Sequence, residues 1–203
     1  MNNALKLKKK YKNERDKLFQ KLSINNDGFS FNYYHTRLVD KIVKELVKSI
    51  LFTHPLTDYT LIAVGGYGRK DLSPKSDVDL LFIYKKSNKN IRTFITALNN
   101  SLWDVGLEVG ISFLTIKQAI IDSKKDIKTV TKFAESRHLI GDHEQYGEFV
   151  RSIKILIGKL NALKLSEKKL LELVNRHEYY LGIKSNLEPQ IKEGIGGLRD
   201  IHT

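Results

Sequence analysis

Two short apolar runs, Tyr59 to Val64 and Val78 to Tyr84, flank the polar segment Gly-Gly-Tyr-Gly-Arg-Lys-Asp-Leu-Ser-Pro-Lys-Ser-Asp. Both are rich in β-branched and aromatic residues and too short for independent helices, so they read as core strands. Helical periodicity surrounds them. From Phe31 to Phe52, Tyr34, Leu38, Ile42, Leu46 and Ile50 recur every fourth residue, with Val39, Val43 and Val47 beside them, which predicts a helix with one wide apolar face. Ser30 is its expected N-cap and Thr53-His-Pro its end, because proline disfavours helix in the preceding residue. Residues 23–30 read as a loop, and the stretch to Leu22 as a loosely docked helix. Asn90 to Val105 predicts another helix and Leu107 to Ile116 a third strand. Helices are then expected over 117–121, 127–140, 143–163 and, from an N-cap at Ser166, to Leu181, followed by a glycine-rich, loop-like tail. This order is no regular βαβ alternation, which argues against a doubly wound sheet. The fold class is α+β.

The 203 residues suffice for one core with a small helical appendage. The expected division is a basic helix and loop at 1–30, a core at 31–140 and a helical extension at 141–203. No cysteine is present, which removes disulfides, thiolate metal sites and cysteine nucleophiles and fits a reducing, cytoplasmic setting. No apolar run reaches the roughly 18 residues of a membrane span, so no membrane partner is expected. A net charge of +12 invites a nucleic-acid reading. Its distribution argues against one: residues 1–21 carry eight Lys and Arg against Glu14 and Asp16, which is half of the excess. No aromatic platform or reader motif accompanies that charge.

The chemistry concentrates at Asp77-Val78-Asp79. Residues two apart on a strand share a face, so the two carboxylates project together while Val78 and Leu80 point into the core. Their mutual repulsion is relieved by a cation, and oxygen ligands on a rigid strand suit Mg²⁺ rather than zinc. An isolated D-x-D is usually an ordinary strand edge. Here it follows Gly65-Gly66-Tyr67-Gly68-Arg69, whose glycines let backbone N–H groups approach a phosphate, with Arg69 and Lys70 adding charge and Ser73 and Ser76 able to bond phosphate oxygens. The segment is neither a P-loop nor a Rossmann fingerprint. The six histidines form no H-D dipeptide and no H-E-x-x-H, and read as surface or helix residues.

Gly65-Gly-Tyr-Gly-Arg, Leu72-Ser-Pro and Ser76-Asp-Val-Asp-Leu-Leu resemble the polymerase-β-type nucleotidyltransferase signature as it occurs in the protein-PII uridylyltransferases. Leu102-Trp-Asp-Val-Gly-Leu-Glu-Val-Gly, Glu135-Ser-Arg, Leu139-Ile-Gly-Asp, Asn186-Leu-Glu-Pro and Gly196-Gly-Leu-Arg-Asp-Ile-His-Thr extend the resemblance over about residues 60–203. The resemblance implies a small mixed sheet flanked by helices, Mg²⁺ as cofactor, UTP as donor and a tyrosine of a PII-type regulatory protein as acceptor. It assigns metal ligation to Asp77 and Asp79, and phosphate binding to Gly65, Gly66 and Arg69. A third carboxylate is implied on the next strand, where Glu108 is the choice and Asp104 the alternative. Arg199 and Asp200 are left between a phosphate or acceptor contact and a structural pair. Ile111, Leu114 and Ile195 replace an expected His, Arg and Pro. The family's H-D phosphohydrolase and regulatory regions are missing from this sequence, so the chain reads as a fragment or truncated piece. A non-catalytic remnant that binds nucleotide or a protein partner is the competing reading.

Overall fold

In the computed structural model, residues 3–159, 162–183 and 191–201 are described. The chain divides into two compact units, 1–154 and 155–203. In the first, α1 (Asn3–Asn25) and α2 (Gly28–Thr53) precede β1 (Tyr59–Ala63), the short turn α3 (Gly65–Gly68) and β2 (Val78–Tyr84). Then follow α4 (Lys89–Val105), β3 (Val109–Leu114), α5 (Ile116–Lys125), α6 (Ile127–Ala134), β4 (Arg137–Gly141) and the start of α7 (His143–Lys159). The sheet order is β3-β2-β1-β4. β1 runs antiparallel to β2 and β4, and β2 parallel to β3, so the expected mixed sheet among helices is what forms.

Strand alternation sorts the side chains of β2. Val78, Leu80 and Phe82 join Val39, Ile42, Leu46, Phe94, Leu98 and Leu102 in one cluster, so α2 and α4 cover that face. Leu81 and Ile83 point the other way and are also fully buried. Tyr59, Phe82 and Phe94 pack ring to ring, with centroids 5.4–5.9 Å apart. Each large side chain removed from water in this way contributes about 1.5–3 kcal/mol before conformational entropy is counted.

Several boundaries differ from expectation. Helix α1 is docked, since Ala4, Leu7 and Tyr11, on one helical face, are buried in the main cluster. Gly28 opens α2 because Asp27, not Ser30, is the cap, its carboxylate accepting the Ser30 N–H at 3.1 Å. His35 is a helix residue, as expected, and lies on the buried face of α2. Its Nδ1–H donates to Leu72 O at 3.0 Å, so Nε2 is left to accept the Tyr11 hydroxyl at 3.1 Å. The ring is buried, and burial lowers its pKa from the ordinary 6.5. β3 stops at Leu114, since Thr115 forms a capping box with Gln118 and starts α5. The expected helix over 127–140 is two elements: α6 ends at Ala134, and Arg137–Gly141 pairs with β1 as an edge strand.

The second unit contains α8 (Ala162–Ile183), turns over 191–197 and α9 (Leu198–Ile201). Ser166 lies inside α8 rather than capping it.

Candidate active site

The glycine segment forms where β1 stops. Val64 is extended, and its N–H donates to Asp79 O at 3.1 Å, which ties the start of the loop to β2. Gly65 then takes φ +59°, a left-handed conformation suited to glycine. Gly68 and Arg69 N–H groups return to Val64 O and Gly65 O, and Asp71 N–H to Gly66 O. Gly65, Gly66 and Tyr67 therefore occupy a first helical turn, where backbone N–H groups have no intrahelical acceptor.

The loop is clamped from outside. Arg137, the first residue of β4, makes a two-pronged pair with Asp40 of α2 at 2.8 and 3.0 Å. The same guanidinium donates to Gly68 O at 3.3 Å and Tyr67 O at 3.2 Å and lies over the Tyr67 ring. Tyr67 is buried, and burial together with the neighbouring Asp40 carboxylate holds its phenol well above its ordinary pKa. At Gly68 an added Cβ would stand 1.8 Å from Glu135 O, so the end of α6 rests directly on the loop.

Asp79 occupies a slot between two glycines. A Cβ on Gly65 would lie 3.6 Å from Asp79 Oδ2, and one on Gly110, its register partner on β3, 3.0 Å from Oδ1. Larger side chains there would crowd the carboxylate. Lys132 Nζ of α6 stands 2.7 Å from Oδ1. The slot is thus shaped for a carboxylate and already attracts a cation, and its donors are oxygen, so the residues fit a hard divalent ion such as Mg²⁺.

The remaining expected residues are placed as follows. Asp77 is exposed immediately before β2. Ser76 belongs to the preceding turn, its N–H donating to Ser73 O at 3.1 Å. Glu108 is exposed just before β3, and its backbone carbonyl accepts the Val78 N–H at 2.8 Å, which puts its backbone beside the D-x-D segment. Asp104 is exposed in the last turn of α4. Arg69 is paired with Glu135. Asp79 and the glycine loop are therefore adjacent, whereas no three His, Asp or Glu side chains among the described residues gather at ligand spacing.

Sequence reasoning missed Lys132 and Asp40, and saw the slot-forming Gly110, Glu135 and Arg137 only as part of the resemblance. The signal was weak because the partners lie far apart in the chain: 53 residues for Lys132 and Asp79, 97 for Arg137 and Asp40.

In the second unit, Asp200 accepts from His177 Nε2 at 2.9 Å, from buried Arg176 at 2.6 Å and from the Gly196 N–H at 2.8 Å. The His177 bond leads in bringing its pKa from the ordinary 3.8 to about 2. Arg199 is held by both oxygens of Glu193. Of the two readings left open for Arg199 and Asp200, these contacts favour the structural one. Asn186–Pro189, His202 and Thr203 lie outside the described residues.

Comparison with known proteins bears out the resemblance. The family model "GlnD PII-uridylyltransferase" matches residues 164–203. The bifunctional uridylyltransferase/uridylyl-removing enzyme of Ralstonia nicotianae is 38% identical over 142 residues, covering 70% of this chain and 16% of that protein. The enzymes of the same description from Hydrogenovibrio crunogenus and Pseudoalteromonas translucida are 35% and 38% identical, covering 83% and 81% of this chain and 19% of each relative. The chain thus spans less than a fifth of the length of these relatives. Among solved structures, a toxin-antitoxin with AMP-PNP aligns with 65% of this chain and 98% of its own at 15% identity and a TM-score of 0.38, too slight a likeness to carry an argument.

Proposed function

We propose, from the similarity to bifunctional uridylyltransferase/uridylyl-removing enzymes, that residues 31–140 form a nucleotidyltransferase core. This core moves UMP from UTP to a tyrosine of a PII-type protein. The observation that carries the reading is the Asp79 carboxylate in its two-glycine slot, tied through Val64 to the glycine loop. Asp77 and Asp79 would hold Mg²⁺, with Glu108 the candidate for a third carboxylate. Bound there, Mg²⁺ supplies charge neutralisation for the triphosphate and alignment of the attacking and leaving oxygens. The chain's own residues do the positioning. Gly65 and Gly66 offer backbone N–H groups to the β- and γ-phosphates, Arg69 adds a full charge, and Ser76 offers a hydroxyl beside the D-x-D. Arg137 and Asp40 keep that loop fixed, so the phosphate-binding geometry exists before the nucleotide arrives.

The test is the melting curve of the 203-residue chain with and without Mg-UTP. Binding at a hundredfold excess over Kd stabilises by about 2.7 kcal/mol, and the double substitution Asp77→Asn and Asp79→Asn should abolish both that shift and the transfer of labelled UMP to a PII-type protein. A folded wild-type chain whose melting is unchanged by saturating Mg-UTP overturns the reading.

A further inference from the structure

The end of α6 places two opposite charges on the two halves of the candidate site. Lys132 Nζ lies 2.7 Å from Asp79 Oδ1, and its stem runs past Gly65. Three residues later, Glu135 pairs with Arg69. All four side chains are between 32% and 36% exposed, so solvent and solutes reach them.

These pairs are not needed to hold the helix. α6 is anchored by buried Val130 and Phe133, by the Asp126 cap that accepts from Lys128 and Thr129 N–H, and by the backbone of Glu135 against Gly68. Its two charged side chains can swing away while the backbone stays. A metal–triphosphate complex would present the same charges in the same arrangement, a cation to Asp79 and an anion to Arg69.

We propose that Lys132 and Glu135 are internal stand-ins for the metal and the phosphate, held on Asp79 and Arg69 until the ligand displaces them. The inference rests on the site reading given above. Each ligand component then meets a resident competitor, and its apparent affinity is reduced by the fraction of time the competitor is in place. Ion pairs exposed to this degree change an affinity by about two- to fivefold.

The test uses the 203-residue chain and two simple probes. Mn²⁺ alone is titrated and its free concentration read by electron paramagnetic resonance; inorganic tripolyphosphate, without divalent metal, is titrated by calorimetry. Lys132→Met should bind Mn²⁺ about two- to fivefold more tightly than wild type. Lys132→Glu should bind it more tightly still, because it turns the competitor into a ligand. Lys128→Met removes the same charge one turn earlier and should leave Mn²⁺ affinity unchanged. Glu135→Gln should tighten tripolyphosphate by a factor similar to that for Mn²⁺. If wild type binds both probes and neither Lys132→Met nor Glu135→Gln binds its probe more tightly, the stand-in inference falls and the site reading survives. A matching gain in Lys128→Met overturns it too, since a general field would then explain the effect. If neither wild type nor either Lys132 variant binds Mn²⁺, the metal reading of Asp77 and Asp79 falls and the inference with it.

Discussion

Replacing Arg137 with lysine keeps one positive charge and removes the planar fork. In the native arrangement four hydrogen bonds leave this guanidinium, two to Asp40 and one each to Tyr67 O and Gly68 O. A lysine ammonium can retain a contact with Asp40 but cannot span the carboxylate and both carbonyls. At about 0.5–1.5 kcal/mol net for each lost bond, the raw cost is about 2–4 kcal/mol. The Arg137 and Asp40 side chains are 20% and 18% exposed, so water recovers part of the loss and about 2 kcal/mol is expected. For a unit of this size that lowers Tm by roughly 4–8 °C. Urea unfolding followed by Trp103 fluorescence reports the first unit alone, because Trp103 is the single tryptophan. The Asp40→Asn variant completes a double-mutant cycle, with an expected coupling of about 1 kcal/mol or more. A stability within about 0.5 kcal/mol of wild type for Arg137→Lys, with no coupling to Asp40, would refute the clamp.

Two further predictions address close packing and proton binding. Gly68→Ala forces a Cβ to within 1.8 Å of Glu135 O and should cost about 1–3 kcal/mol in the same urea assay, whereas Gly28→Ala, with nothing within 4 Å, should be neutral or slightly stabilising; equal effects would contradict the packing. His35 has a folded pKa below 6.5, so the unfolded chain binds more protons and stability falls as pH drops below 6.5; its contribution is complete above that value. Urea midpoints between pH 7.5 and 5 should therefore decline less steeply for His35→Gln than for wild type, and parallel slopes would refute a neutral buried ring.

The parts of this molecule that could be read from the sequence are those fixed by local pattern. The four-residue period of α2 and the composition of β1 and β2 are properties of contiguous residues, and Asp77 and Asp79 stand out by their spacing together with the glycine segment just before them. β4 does not. Leu139 and Ile140 continue the apolar spacing of Val130 and Phe133, so 127–140 satisfies a helical pattern throughout. Only the pairing of Arg137–Gly141 with β1, 79 residues earlier by the register of Leu61 with Ile140, converts its end into a strand. The same holds at the site. The glycine loop was legible, but the charges that face it come from α6, which carries no motif linking Lys132 to Asp79. Thr115-Ile-Lys-Gln was a legible capping signal, overlooked because the apolar run of β3 leads straight into it.

The hydrogen-bonded line from Tyr11 through His35 to Leu72 O connects the first helix to the polypeptide between the glycine turn and Asp77. A proteolytic cut near Asn26 that let α1 drift off would withdraw the Tyr11 hydroxyl and open the core over Val39 and Leu46. The imidazole would then keep only its hydrogen bond to the carbonyl of Leu72. Much of the chain's excess charge therefore rides on a helix that also braces the junction between β1 and β2, and trimming the N-terminus for solubility would remove one contact of the segment leading into Asp77 and Asp79.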